Sequence, residues 1–250
     1  MLALFHEIIY RPIYNTLIFF YDTLPGQDFG IAIILVTILL KFIMFPLSRK
    51  QIQSQKKMQE IQPKIKALQK KFKDKKEEQT KALLELYRTE KANPFSGCLP
   101  LIVQIIVLIA IYRVIINISG ANFSVEVTDL YSFVSNPGII NHYFLHIVDL
   151  AKPSIVFAIL SATAQYFQTK MLLANTPTKE VKEGVSEEPD FSAIMNKQML
   201  YMGPAITLFI GLTFPAALSL YWFTSTLFML IQQKILFAKK VDGKIETTAL

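Results

Sequence analysis

The chain has 250 residues, 52% of them hydrophobic and 18% charged, with mean hydropathy +0.37 and a formal net charge of +7. Soluble domains carry about 25% charged residues, so this balance excludes a disordered chain and argues against an ordinary soluble enzyme. One cysteine, Cys98, and three histidines, His6, His142 and His146, exclude an intramolecular disulfide framework and leave little for a zinc centre.

Residues 1–28 are hydrophobic but carry His6, Glu7, Arg11, Asn15 and Asp22. They lack the basic start and small-residue cleavage site of a signal peptide. They read as an external interfacial amphipathic helix, with Phe5, Tyr10, Tyr14, Phe19, Phe20 and Tyr21 at headgroup level. A sixth span is the alternative. The first span follows at residues 29–47. A span needs about 20 mainly apolar residues, and four further windows qualify: Leu99–Ile118, Pro153–Met171, Met199–Phe214 and Ala216–Phe237. Pro215 makes the last two, within residues 198–237, a tight hairpin.

Between the first two spans, residues 48–92 hold 14 basic and 6 acidic side chains and no glycine. Ile52, Met58, Ile61, Ile65, Leu68 and Phe72, then Leu83, Leu84 and Tyr87, recur at helical spacing. The segment reads as two antiparallel helices turning at Asp74–Glu78, with Pro63 kinking or restarting the first arm. It fits a solvated pair, a docking arm or an anchor on anionic lipid, where each basic residue contributes about 1 kcal/mol. Lys64, Lys66, Lys70, Lys71, Lys73, Lys75 and Lys76 are its candidate docking residues. Residues 93–118 form the approach to the second span and the span itself. Residues 119–152 read as an external loop with short helices, interrupted by Asn136-Pro137-Gly138. Residues 153–171 are the third span, 172–197 a loop and 238–250 a tail.

The lysine and arginine distribution sets orientation. Residues 119–149 contain neither, against three acids, and residues 1–28 contain only Arg11. The 48–92 segment is therefore cytoplasmic, the N-terminus outside and the C-terminus inside. The 172–197 loop, with three lysines and five acids, is a mild exception.

Lys41 stands within the first span, about 18 Å from its outer end at 1.5 Å per residue. A mid-span lysine costs on the order of 2.5–3.5 kcal/mol, and such residues face the bundle interior or a wet cavity unless they snorkel. No proposed span contains Asp or Glu, so its partners must be water, hydroxyls, amides or carbonyls. Thr37 lies one turn away on the same face. Gln104, Gln165, Gln168, Tyr221, Trp222 and Ser225 supply polar groups on other spans. Taken singly, each is an interhelical hydrogen bond worth well under 2 kcal/mol. Taken with an unpaired lysine, they point to a hydrated, half-open cavity. Arg113 is a snorkelling anchor. Hydrolase, zinc-protease and phosphate-loop motifs are absent, as are the span acids and internal repeats expected of many transporters.

Four stretches carry a family resemblance: ILVTILLKFIMFPLSRKQ, MQEIQPKIKALQKKF, NPFSGCLPLIVQIIVLIAIYRVI and FPAALSLYWFTSTLFMLIQQKIL. Together, in this order, they resemble the YidC-type membrane protein insertases of the YidC/Oxa/Alb superfamily over residues 1–237. The resemblance implies an all-α integral membrane protein: a five-span helical bundle with a cytoplasmic antiparallel helical hairpin and an N-terminal interfacial helix. It implies a hydrophilic groove open to cytoplasm and lipid but closed to the outside, in the plasma (inner) membrane. Lys41 stands where the family usually has arginine, which keeps the charge and loses the planar fork of donors. Thr37, Tyr221 and Trp222 fall on positions that line that groove or meet the substrate.

The implied function is insertion of nascent or small membrane proteins into the bilayer without nucleotide hydrolysis, metal or other cofactor. The general secretion translocon, the signal recognition particle receptor and the ribosome are implied partners, with no sequence-specific nucleic acid. The basic C-terminal extension that some relatives use toward ribosomes is nearly absent. An assembly factor without insertase activity, or a small solute or ion transporter, would use the same cavity.

Overall fold

The computed structural model describes residues 2–73, 75–92, 99–120, 123–173 and 191–242. The expected turn residue Asp74, residues 93–98 before the second span, the middle of the 172–197 loop and the end of the tail lie outside the described residues.

The described chain is mainly helical: α1 (Leu2–Phe5), a π-helical turn (His6–Tyr10), α2 (Arg11–Thr23), α3 (Phe29–Ile43), α4 (Phe45–Lys71), α5 (Lys76–Thr89), α6 (Leu99–Gly120), α7 (Ile155–Leu173), α8 (Phe191–Thr213) and α9 (Ala216–Asp242). Prolines explain two of the irregularities. Pro12 has no N–H to give Ile8, and the turn ahead of it widens, so that the Arg11 N–H bonds the His6 carbonyl five residues back. Pro46 removes the bond that would reach Phe42, and α3 and α4 meet there at 63°. Pro63 does not restart the helix: α4 runs through it as one element. α5 packs along α4 on both sides of Pro63. Ile61, Ile65 and Ala92 form a small core there with Met58, Leu83, Leu86 and Tyr87.

The main core joins α2, α3, α6 and α9 with residues 123–150. The N-terminal aromatics divide between this core and the surface. Tyr10, Tyr14 and Tyr21 are buried in this core, while Phe19 is exposed. The Tyr10 hydroxyl accepts from Asn117 Nδ2 on α6 at 2.9 Å, and those of Tyr14 and Tyr21 are held by the segment that follows α6. Tyr14 Oη accepts from Glu126 N at 2.8 Å and Tyr21 Oη from Asn141 N at 2.6 Å. Burial pushes the Tyr14 hydroxyl up to about 12 against the hydrogen bond to the Glu126 backbone. Buried Asn15 donates to Asp129 O and accepts from Tyr131 N. A helix that holds a loop by its phenols and amide needs those groups inward, and amphipathic spacing alone does not say which face that is.

The 123–150 segment also departs from expectation. Among the described residues it has a single 3-10 turn, Val127–Asp129, and a two-stranded antiparallel ribbon pairing Tyr143 with Asp149 and Phe144 with Val148. Asn136, Pro137 and Gly138 (φ +78°) prevent a helix between them. Asp28 ties the ribbon to the start of α3: Oδ1 caps Ile31 N at 2.9 Å and Oδ2 accepts from Leu145 N at 2.6 Å. Gly30 leaves room for the Phe144 ring, which a Cβ would overlap.

The outward faces of the bundle are apolar. Phe42 and Ile43 on α3, Ile102, Ile105 and Ile109 on α6, Ile159 and Phe167 on α7, and Ile206 and Phe209 on α8 are exposed. A soluble monomer rarely shows contiguous apolar surface on this scale. Among the described residues, Ile102–Gly120 is long and apolar enough to cross a bilayer by itself, and Gln198–Thr213 is a shorter apolar stretch.

Candidate functional site

Three helices bring the predicted lysine to an uncharged polar cluster. Lys41 sits in the last turn of α3, half-buried. Its Nζ donates to Gln104 Oε1 on α6 at 3.1 Å. Gln104 Nε2 in turn donates to Tyr221 Oη at 3.0 Å and to Ser225 Oγ at 3.4 Å, both on α9. The chain of bonds is directional. The ammonium can only donate, the amide oxygen accepts, and the amide nitrogen passes the polarity on to two hydroxyls. Tyr221 and Ser225 are one turn apart on the buried face of α9.

An ammonium has three N–H donors. Among the described residues, Lys41 has one hydrogen-bond acceptor, Gln104, and no carboxylate within ion-pair distance. Two donors remain for water or another acceptor. The surroundings are uncharged, so the cation keeps its field in a medium that screens it less than water does.

The other predicted residues divide. Trp222 Nε1 donates to Gln165 Oε1 at 3.3 Å, which links α9 to α7. Trp222 follows Tyr221 directly, so the two bonds leave α9 toward different helices. Thr37 is fully buried, and its hydroxyl donates to the Ile33 carbonyl of its own helix at 2.6 Å. It lies on the lysine's face without joining the cluster. Gln168 is half-buried one turn beyond Gln165 and makes none of these contacts. Arg113 lies over the Phe5 ring, 5.5 Å from its centroid, which fits a positional anchor.

On the projecting arm, Lys64, Lys70, Lys71, Lys73, Lys75 and Lys76 are exposed and Lys66 is half-buried. Lys64 pairs with Glu90 across the two helices, Lys75 with Glu78 at 2.9 Å, and Lys71 lies over the Phe72 ring at 5.3 Å. The Lys64 hydrogen bond and charge hold the Glu90 carboxyl below the usual carboxylate range.

Sequence reasoning missed a second polar region where α4 meets α9. Gln232 Nε2 donates to Ser48 Oγ at 2.7 Å, both buried. Gln59 Nε2 donates to Leu172 O, tying the arm to the end of α7. The signal was available in the paired glutamines of LIQQKIL, which interrupt an apolar helix.

A family model described as 60Kd inner membrane protein matches residues 19–243. The membrane protein insertase YidC of Geotalea daltonii is 34% identical over 225 residues, 89% of this chain and 36% of that protein. That of Pelobacter propionicus is 35% identical over 229 residues, 90% of this chain and 38% of that protein. That of Francisella tularensis subsp. novicida is 34% identical over 236 residues, 94% and 36% respectively. The chain spans little more than a third of the length of these curated relatives. By the reach of the family model and the identity along nearly its whole length, the chain belongs to the 60Kd inner membrane protein family, the YidC/Oxa/Alb superfamily.

Proposed function

We propose that this protein is a membrane protein insertase of the inner membrane, which passes nascent or small membrane proteins from the cytoplasm into lipid. The observation that carries this reading is the half-buried Lys41 cation, joined to Gln104 yet free of any carboxylate among the described residues, in a helical body with an apolar outer surface. In the proposed arrangement α3, α6, α7, α8 and α9 supply five spans, with the N-terminus outside and the C-terminus in the cytoplasm. Lys41, Gln104, Tyr221 and Ser225, together with Gln165, Trp222, Thr37 and Gln168, belong to a groove open to cytoplasm and lipid.

The hydrophilic outer segment of a substrate enters that groove. Its carboxylates are attracted by Lys41, whose spare N–H groups donate hydrogen bonds to their oxygens. The substrate's apolar helix slides along α3 and α9 into lipid. Transfer of apolar surface, about 25 cal/mol per Å2, drives release without nucleotide hydrolysis or covalent chemistry. The basic arm of α4 and α5, with Lys64, Lys66, Lys70, Lys71, Lys73, Lys75 and Lys76, first meets the substrate or a delivering partner. Such partners are the general secretion translocon, the signal recognition particle receptor or the ribosome.

The test is insertion of a single-span substrate with an acidic outer tail into liposomes holding the purified protein, scored by protease protection. Wild-type protein inserts it above empty liposomes. Lys41→Ala lowers insertion of the acidic-tailed substrate about tenfold, the worth of one charge-assisted hydrogen bond, and leaves a neutral-tailed one nearly unchanged. Equal loss for both tails removes the charge attraction from the mechanism. No insertion by folded wild-type protein overturns the reading in favour of an assembly factor.

A further inference from the structure

The buried polar face of α9 does not end at Ser225. Gln232 lies seven residues on, two helical turns, and so on the same face. Gln233 is beside it, 2% exposed. The opposite face, with Leu227, Ile231 and Ile235, is apolar and exposed. In lipid this is the sensible polarity, and it leaves two adjacent carboxamides buried. One of them is explained: Gln232 is bonded to Ser48. The other is not. Gln233 Oε1 is buried without a hydrogen-bond partner among the described residues. An unmet buried amide acceptor costs about 1–3 kcal/mol. Gln51, one turn beyond Ser48 on α4, is buried on the same side as the bond to α9.

A carboxamide carries an acceptor and a donor in one plane, as a peptide group does. A lysine carries charge and donors only. We propose that Gln233, positioned by the Ser48–Gln232 bond, is a second substrate station that takes the unpaired peptide groups of the passing polar segment, whatever its charge. The station rests on the insertase reading above and adds a sequence-neutral grip to the charge-selective one at Lys41. The rise from Ser225 to Gln233 is about 12 Å, which about four extended residues cover. A tail shorter than that cannot hold both stations, and a longer one can.

The experiment uses the full chain in liposomes and four single-span substrates, with short or long outer tails that are neutral or acidic. Wild-type insertion of all four above empty liposomes tests the insertase reading alone, and its absence overturns that reading. Gln233→Met keeps the volume and removes the carboxamide. Insertion of both long-tailed substrates falls about threefold to tenfold, the range for one lost hydrogen bond, while both short-tailed substrates insert as with wild type. Gln233→Asn, which retains the carboxamide, recovers part of the loss. Lys41→Ala instead follows tail charge. Loss by Gln233→Met that is equal at both lengths assigns Gln233 to packing and overturns the station. So does a loss that follows tail charge, or no loss at all.

Discussion

Gln104 joins three helices with one side chain, because its oxygen serves Lys41 and its nitrogen serves Tyr221 and Ser225. Removing it leaves an ammonium without its protein acceptor and two hydroxyls without their donor. Hydrogen bonds to charged groups are worth about 1.5–3 kcal/mol, so Gln104→Leu lowers unfolding stability in micelles by about that amount. Because Lys41 and Gln104 touch, their effects are not additive. A double-mutant cycle with Lys41→Met yields a coupling of about 0.5–3 kcal/mol, whereas pairing Gln104→Leu with a change at Thr37 yields none. Thr37 lies one turn from Lys41 on the same helix. Its hydroxyl nevertheless satisfies its own helix, a choice open to any threonine in an apolar span and silent in the sequence. Gln104 and Lys41, with fewer local alternatives, had to find each other.

Helices in lipid gain little from apolar burial against one another and rely on close approach. Gly211 on α8 shows this. A Cβ there would lie 2.8 Å from Ala158 Cα on α7 and 3.0 Å from Ser219 Oγ on α9, and Ser161 Oγ bonds Ser219 O at 2.8 Å in the same seam. Gly211→Ala therefore costs about 1–3 kcal/mol by overpacking, read as a lower melting temperature in detergent. Gly120→Ala, where nothing lies within 4 Å, leaves it unchanged. The arm is held differently, by a small core and an exposed ion pair. Glu90 titrates below its unfolded value because of Lys64. Its contribution to holding α4 on α5 is thus present above the ordinary carboxylate pKa and lost as pH falls through the lowered one. Lys64→Met accelerates hydrogen exchange in α5 at neutral pH. The difference from wild type disappears on acidification and shrinks in high salt. The helical arms were legible in the spacing of Ile61, Ile65, Leu83 and Tyr87. The continuity of α4 through Pro63 was not, because a proline's effect depends on what packs beside it.

At the scale of the molecule, apolar runs and their breaks are what a sequence states directly, and the helical character of the chain follows from them. Which polar groups share an interior depends on helix rotation, which low amphipathicity leaves undetermined; α6 is apolar nearly all round. The inward turn of Tyr14 and Tyr21 and the meeting of Ser48 with Gln232 depend on that rotation, and the sequence does not state it. Charge distribution remains the strongest global signal, and it makes the last prediction. Residues 48–92 carry a net surplus of basic groups, 14 against 6, while residues 119–149 carry no lysine or arginine. The bend at Met44 sends α4 away from the axis of α3, and Asp28 with its ribbon closes the opposite end of that helix. In the proposed orientation these two ends lie on opposite sides of the membrane, with the basic one inside. In a Cys98→Ser background, a cysteine placed at Lys75 reacts with an impermeant maleimide only after the cytoplasmic face is opened, and one placed at Phe133 reacts in intact cells. Labelling of both from the same side would place the arm and the ribbon together and overturn the orientation. Labelling in the reverse sense would leave Lys41 nearer the outer face, where it could not receive a segment arriving from the cytoplasm.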